Sequence, residues 1–492
     1  MVVWDPGSIG GVGDDSYTGS DDVDIMYGYG GADTLRGGGG DDALVGGWGN
    51  DAIDGGEGDD TLIPSDARVD GYYPEQHAFA LSYSTFGNSG VSFLDGGAGR
   101  DTAYLTYGYA TQSLHFDGRS ADLVNVLTIG GSTISTVTHV EQFNIYAGSG
   151  DDVIFGGVTS SYIEGHDGND RIGAGSGPGY LYGGTGDDVL SGGPGNDGLN
   201  GEAGVDTVTY EDLAISGVAA DLGAGVATGP ESGTDTLTGV ENLIGSAFSD
   251  VLTGDSAANA LTGGGGQDWL MGGGGGDLLI DDAGDDSVWG GAGDDALSGG
   301  EGNDTIDGGE GVDTATYHLA TSHVEIDLTI LEDQITRGAG IDTLISIENL
   351  VGSAFDDILV GSNGANAIDG GAGSDILRGQ GGADLLTGGA GADTFVLGLA
   401  SDSSPSAADL VTDFASGDRI DLSCLDANTA LAGDQAFTLS GLQGHPGDIF
   451  VAYDPTADIT TVKLYTTSSD DVAAQFLMTG DHHAITAADF IL

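Results

Sequence analysis

Glycine and aspartate recur along this chain every nine residues, and that period restricts the fold more than any other feature. From Gly10 to Ile63 six nine-residue units follow one another without a slip, among them GGGGDDALV, GGWGNDAID and GGEGDDTLI at 37–63. The register returns at 87–104, 147–209, 245–316 and 352–396, giving 28 units in five blocks. The sixth residue is Asp in 23 of them; Ser92, Ser161, Gly179, Asn259 and Asn366 are the exceptions. The eighth is a large apolar residue, as at Leu35, Leu44, Ile53, Leu62, Leu190, Leu270, Leu297, Ile306 and Leu377. A glycine-rich disordered linker has no reason to keep apolar side chains in register, whereas a stacked repeat does.

Three residues around the apolar position are too few for a helix but enough for a short strand with one inward side chain. The six before them form a turn, because glycine accepts positive φ and close backbone approach. Two units make a coil of 18 residues, so units n and n+2 stack on one side and the apolar residues form a seam between two parallel sheets. One coil alone cannot bury that seam. Stacking also brings the Asp of unit n near the Asp of unit n+2, together with glycine carbonyls. Such hard oxygen ligands suit Ca²⁺, which takes six to eight of them at about 2.3–2.6 Å. Zinc would call for His or Cys, which the turns lack but for His166.

The pattern G-G-x-G-x-D-x-U-x, with U apolar, resembles the RTX repeats of hemolysin-type calcium-binding proteins. The resemblance implies an all-β fold: a parallel β-roll solenoid interrupted by β-rich insertions and ending in a small C-terminal β domain. It also implies ligands: the second and fourth carbonyls and the Asp of one turn, with the first and third carbonyls and the Asp of the turn above. Carried over to the first pair, these are Gly11, Gly13 and Asp15 with Gly28, Gly30 and Asp33. In the first block Asp24, Asp42, Asp51 and Asp60 follow, and in the next long block Asp152, Asp170, Asp188, Asp197 and Asp206. The third long block supplies Asp250, Asp268, Asp277, Asp286, Asp295, Asp304 and Asp313, and the last supplies Asp357, Asp375, Asp384 and Asp393. Of 18 stacked pairs within blocks, 14 have Asp on both sides, which implies 14–18 calcium ions. Asn259 with Asp277 and Asn366 with Asp384 should be weaker, and Ser161 with Gly179 should hold no ion.

Charge fits this reading. The 79 acidic residues face 9 Lys and Arg, a formal charge of −70. Nothing here could neutralise a phosphate backbone, so nucleic acid is excluded as a partner, and attraction to anionic lipid is equally unfavourable. No stretch approaches the 18 apolar residues or so of a membrane span. A single cysteine, Cys424, precludes a disulfide framework, and its place in Asp421-Leu-Ser-Cys-Leu425 reads as buried packing in an apolar strand. The N-terminal residues show neither a basic segment nor an apolar stretch, so no cleaved secretory signal is expected.

The blocks divide the chain into repeats at 1–63, insertions at 64–146 around the short block 87–104, repeats at 147–209, an insertion at 210–244, repeats at 245–316, an insertion at 317–351, repeats at 352–396 and a C-terminal region at 397–492. Three interruptions open on RDTAYLTY, VDTVTY and VDTATY and close on VEQFNIY, VENLIG and IENLVG; Asp206 to Glu241 and Asp313 to Glu348 span 35 positions each. They read as β-rich elaborations of the roll. Segment 64–86 carries Tyr72, Tyr73, His77, Phe79, Tyr83 and Phe86, which read as a loop covering an exposed seam in preference to an aromatic platform for sugars.

From GADTFVL at 391 through DLVTDFASGDRIDLS at 409, the sequence resembles the region after the repeats in serralysin-type exoproteins. The final Asp489-Phe-Ile-Leu492 is similar to the uncleaved signal read by type I secretion machinery. These resemblances imply a bacterial, extracellular protein that folds on external Ca²⁺. No H-E-x-x-H and no G-x-S-x-G occurs, so no catalytic residue is assigned and the chain reads as a non-enzyme. Two alternatives stand beside this: a cell-surface or matrix adhesin, or surface-layer-like assembly, meeting polysaccharide through Ca²⁺ bridges; and a polysaccharide-acting exoenzyme with an unrecognised site.

Overall fold

In the computed structural model, the apolar eighth position of each unit lies at the centre of a short strand, and the glycine-rich residues before it form the turn. The structure describes residues 12–492 except 48, 65–66, 74–77, 84–91, 108–109, 120–124, 130–131, 429–434, 440–444, 468–470 and 483. It is all-β: among the described residues the one helical element is a 3₁₀ turn, Ala487–Asp489, and no helix is long and apolar enough to cross a membrane. The chain divides into two units, residues 1–248 and 249–492.

In the first unit, alternate repeats build two parallel faces. On one, Ser16–Thr18, Thr34–Gly39, Ala52–Glu57 and Ser92–Ala98 pair in order, with Tyr17 opposite Leu35 and Leu35 opposite Ile53. On the other, Ile25–Tyr27, Ala43–Val45, Thr61–Ile63, Thr102–Thr106, Gln142–Tyr146, Ser161–Asp167, Gly179–Thr185 and Gly198–Ala203 follow one another. Leu35, Leu44, Leu62, Leu94, Ile163, Leu181 and Leu190 are wholly buried in the seam between the faces. Burying each such side chain stabilises the roll by about 1.5–3 kcal/mol.

The insertions complete the faces. Residues 105–146 contribute an antiparallel meander, Leu114–Asp117, Asn125–Ile129 and Ser132–Thr138. Its last strand pairs in parallel with Ser92–Ala98 and its first with Val153–Phe155, so the sheet passes through the insertion unbroken. Ala219–Asp221, Val226–Gly229 and Gly233–Thr238 form a second meander whose last strand pairs in parallel with Gly198–Ala203. The aromatic side chains of 64–86 lie outside the described residues; the backbone there forms an antiparallel pair, Ala67–Tyr73 with Ala78–Tyr83.

The second unit repeats the plan. Ala260–Thr262, Leu278–Ile280, Ala296–Ser298, Thr314–Thr316, Asn349–Val351, Ala367–Asp369 and Leu385–Thr387 line one face. The C-terminal region begins as further coils: Leu410–Val411 pairs with Leu385–Thr387, and Arg419–Asp421 with Thr394–Val396. It ends in a meander of Asp448–Asp454, Ile459–Leu464 and Ala474–Thr479, with Phe490–Ile491 as the last parallel strand. Cys424 departs from its expected place. The strand stops at Asp421, and the Leu425 amide donates to the Leu422 carbonyl at 2.9 Å. The resulting turn buries the two leucines and leaves Cys424 exposed.

Candidate metal centres

Each stacked Asp uses its two carboxylate oxygens differently. Oδ1 accepts the backbone N–H of the Asp one coil below: Asp24 donates to Asp42 at 2.7 Å, Asp152 to Asp170 at 2.8 Å, Asp170 to Asp188 at 2.7 Å and Asp375 to Asp393 at 3.0 Å. Oδ2 is buried and has no hydrogen-bond partner in Asp33, Asp42, Asp51, Asp60, Asp170, Asp188, Asp197, Asp206, Asp268, Asp277, Asp286, Asp295, Asp304, Asp313, Asp375 and Asp384. A buried carboxylate oxygen left unpaired is costly, and here the omission recurs in turn after turn.

The first glycine of the unit explains where that oxygen points. A Cβ on Gly37 would run into Oδ2 of its own Asp42 and into the carbonyl of Gly55 in the next coil. Gly28 stands in the same relation to Asp33 and Gly46, and Gly272 to Asp277 and Gly290. Glycine therefore leaves a cradle in which a carboxylate oxygen and a carbonyl oxygen from successive turns converge. Both are hard ligands, so the donor set fits Ca²⁺.

Electrostatics agree. Burial first, then the charge of neighbouring Asp, pushes these carboxyls up: Asp42, Asp60 and Asp188 to about 6, Asp51 and Asp197 to about 7, Asp170 and Asp304 to about 8. The backbone N–H bonds oppose the rise. A positive charge in the cradle would favour the ionised form and so offset both causes.

Not every expected ligand is arranged alike. Gly11 lies outside the described residues, and nothing stands within 4 Å of a Cβ built on Gly13. The Gly28 carbonyl accepts from Gly30 N–H at 3.2 Å. Asp24, Asp152 and Asp357 turn Oδ2 to amides of their own turns, those of Ser20, Gly148 and Ser353. Each stands in the first or second unit of its block. Asn259 and Asn366 place Oδ1 over Gly254 and Gly361, where the other turns hold Oδ2; this keeps the oxygen and loses its charge. Ser161 Oγ instead accepts the Gly157 amide, at 2.8 Å.

The ladder does not stop at the interruptions, which the spacing alone did not show. Asp60 donates to Asp101 Oδ1 at 2.8 Å, Asp197 to Asp235 at 2.9 Å, Asp304 to Asp342 at 3.1 Å, Asp384 to Asp409 at 3.2 Å and Asp393 to Asp418 at 3.0 Å. Asp235 and Asp342 come from insertions, yet Leu237 and Leu344 beside them pair opposite Leu199 and Ile306. Their Oδ2 atoms accept the hydroxyls of Tyr210 and Tyr317, both at 3.2 Å. The closing strands supply glutamate in the same register: Asp101, Asp206 and Asp313 each donate to Oε2, of Glu141, Glu241 and Glu348, at 2.9 Å. The shared 35-residue separation was the available signal for two of these pairs.

Parts of the chain match known families. Residues 9–44, 27–62, 86–105, 146–181, 174–208, 244–279 and 280–315 match the model of the RTX calcium-binding nonapeptide repeat, and residues 333–492 match that of the peptidase M10 serralysin C terminal region. Over 136 residues the chain is 52% identical to metallopeptidase AprA of Pseudomonas marginalis and 46% identical to metalloprotease AprA of Pseudomonas entomophila. These alignments cover 27% of this chain and 27% of each relative's length. Solved structures that resemble parts of it include the AlgE6R3 and AlgE6R2 subunits of the Azotobacter vinelandii mannuronan C5-epimerase. The first is 31% identical over 28% of this chain and 78% of the subunit, at a TM-score of 0.20; the second is 30% identical over 30% and 92%, at 0.23. The chain thus carries RTX calcium-binding nonapeptide repeats followed by a serralysin-type C-terminal region.

Proposed function

We propose that this is a secreted protein whose stacked turns bind extracellular calcium and fold in doing so, without catalysis, after export by a type I system. The observation that carries the reading is the row of buried Oδ2 atoms with no hydrogen-bond partner, from Asp33 to Asp384. Bound calcium would supply the positive charge these turns lack. Without it, like charges repel along the roll and the −70 charge favours an expanded chain. Where calcium is scarce, that expansion suits passage through a narrow exporter. Where it is abundant, binding free energy becomes folding free energy. Catalysis has no place in the reading, because carboxylates repeated in every turn single out none for acid–base work.

The test is a calcium titration of the full chain followed jointly by far-UV circular dichroism and sedimentation velocity. Expected is a calcium-dependent gain of β signal with a rise in sedimentation coefficient. A calcium-stripped chain with the same spectrum and compactness as the calcium form would overturn the reading. Continued growth of the sedimenting species after the spectrum saturates would favour calcium-linked assembly.

A further inference from the structure

One unit breaks the rule that the first position is small. Residues 281–289 read DDAGDDSVW, with Asp281 where 25 of the 28 units have glycine and two have alanine. Its carboxylate lies over Gly263, one coil below: a Cβ on that glycine would stand 2.5 Å from Asp281 Oδ2 and 2.6 Å from Oδ1. It thus occupies the space between the turns of Asp268 and Asp286, and ligand atoms of all three carboxylates lie within 4.8 Å of one another. It is the one such group of three among the described residues. Asp268 and Asp281 are fully buried and Asp286 is 2% exposed.

Backbone amides hold the Oδ1 atoms here, and the carboxyls of Asp268 and Asp281 lie within hydrogen-bonding reach of each other. Asp286 Oδ1 accepts the Asp268 amide at 2.8 Å, and Asp281 Oδ1 accepts the Asp282 amide at 2.9 Å. The Oδ2 atoms of Asp268, Asp281 and Asp286 are buried without a hydrogen-bond partner. Burial, then the charges of Asp286 and Asp268, push the Asp281 carboxyl well above the ordinary carboxylate range. One proton can join two of the three groups and leaves the third unpaired; a hard multivalent cation can be shared by all three.

We propose that Asp281 converts the step between the Asp268 and Asp286 turns into a three-carboxylate cation site, which holds a hard cation more tightly than the other turns of this chain. The proposal rests on the reading of the turns as calcium sites and adds a rank order to it. Ligand charge count is one of the two variables that set calcium affinity at oxygen sites; the other, rigidity, is common to the stacked turns. Such a site fills first on titration and gives the roll a loaded coil from which its neighbours can stack.

The test uses the full chain, wild type and the Asp281→Asn and Asp281→Gly variants, titrated with Ca²⁺ alone by calorimetry. A parallel titration with Tb³⁺ is read by tryptophan-sensitised emission, since Trp269 and Trp289 flank the site in sequence with ring centroids 5.6 Å apart. Expected in wild type is one ion per chain bound at roughly tenfold lower free calcium than the rest, an event missing from both variants. Asp281→Gly restores the residue found in the adjoining coils at Gly263 and Gly299, so it reports on the site even if the Asn variant folds poorly. Wild type that fills all its turns at one midpoint, or variants that keep the early event, would overturn this proposal alone. Wild type that takes up no calcium would instead overturn the wider reading.

Discussion

The backbone N–H of Asp170 donates to Oδ1 of Asp188, 2.7 Å away and 18 residues on, while Oδ2 of Asp188 is buried and unpaired. The first contact holds two coils together without a metal, and the second atom needs one. Asp188→Asn keeps an acceptor for Asp170 and removes the charge; Asp188→Ala removes both. We expect the Asn variant to bind fewer calcium ions, by equilibrium dialysis, and to fold at higher calcium than wild type. The Ala variant should lose a further 1–3 kcal/mol or so, because a buried amide is left unsatisfied. Identical calcium midpoints for all three chains would refute the division of labour.

Calcium-free protein should be more folded in mild acid than at neutral pH. The folded-state values of Asp42, Asp51 and Asp170 lie at about 6, 7 and 8, above the unfolded value just under 4. Between these limits the folded chain binds more protons than the unfolded one, so stability falls as pH rises. In a chelator, β signal by circular dichroism should persist near pH 5 and be lost between about 6 and 8. With calcium present the dependence reverses, because the cation competes with those protons, and the calcium midpoint should rise as pH falls through the same window. A chelated chain equally structured at pH 5 and pH 8 would contradict this.

Two glycines of the first block, from different units, should behave differently. Gly37→Ala puts a methyl group against Asp42 Oδ2 and the Gly55 carbonyl, while Gly13→Ala meets nothing within 4 Å. The first should cost about 1–3 kcal/mol through overpacking and lower the ion count. The second should stay within about 0.5 kcal/mol of wild type. Calcium-dependent thermal unfolding of both variants checks the pair; equal losses would place the cradle elsewhere.

Glu348 closes the ladder below an insertion by accepting the Asp313 amide at 2.9 Å. Glu348→Ala should destabilise the calcium-loaded chain by about 1–3 kcal/mol. Glu348→Gln, which keeps a carbonyl oxygen, should recover most of that in denaturant unfolding. Equal effects of the two would mean that charge, and not the hydrogen bond, matters at this position.

Much of this was legible in the sequence, for a reason the residues make plain. A nine-residue period puts Leu35, Leu44, Ile53 and Leu62 into one seam and Asp15, Asp33 and Asp51 into one row, since stacking leaves each residue type one place to go. The ladder inside the blocks follows at 18 residues. Outside them it becomes illegible, because Asp60 and Asp101 are 41 residues apart and Asp197 and Asp235 are 38. The 18-residue step does not connect them; the parallel pairing of Thr61–Ile63 with Thr102–Thr106 and of Gly198–Ala203 with Gly233–Thr238 does. Cys424 was misplaced for a related reason, as a local apolar pattern does not reveal that the strand ends at Asp421.

By itself, then, the sequence determined the all-β roll, the position of its core and the kind of cation its turns suit, because all three follow from a short repeat that each coil obeys alone. Only the tertiary structure decided which oxygens are already engaged and which are left over, that Asp235, Asp342 and three glutamates continue the ladder, and that Asp281 joins Asp268 and Asp286. These are relations between coils. They depend on which strand settles beside which, and a repeat pattern written along one chain does not contain that information wherever the repeat is broken.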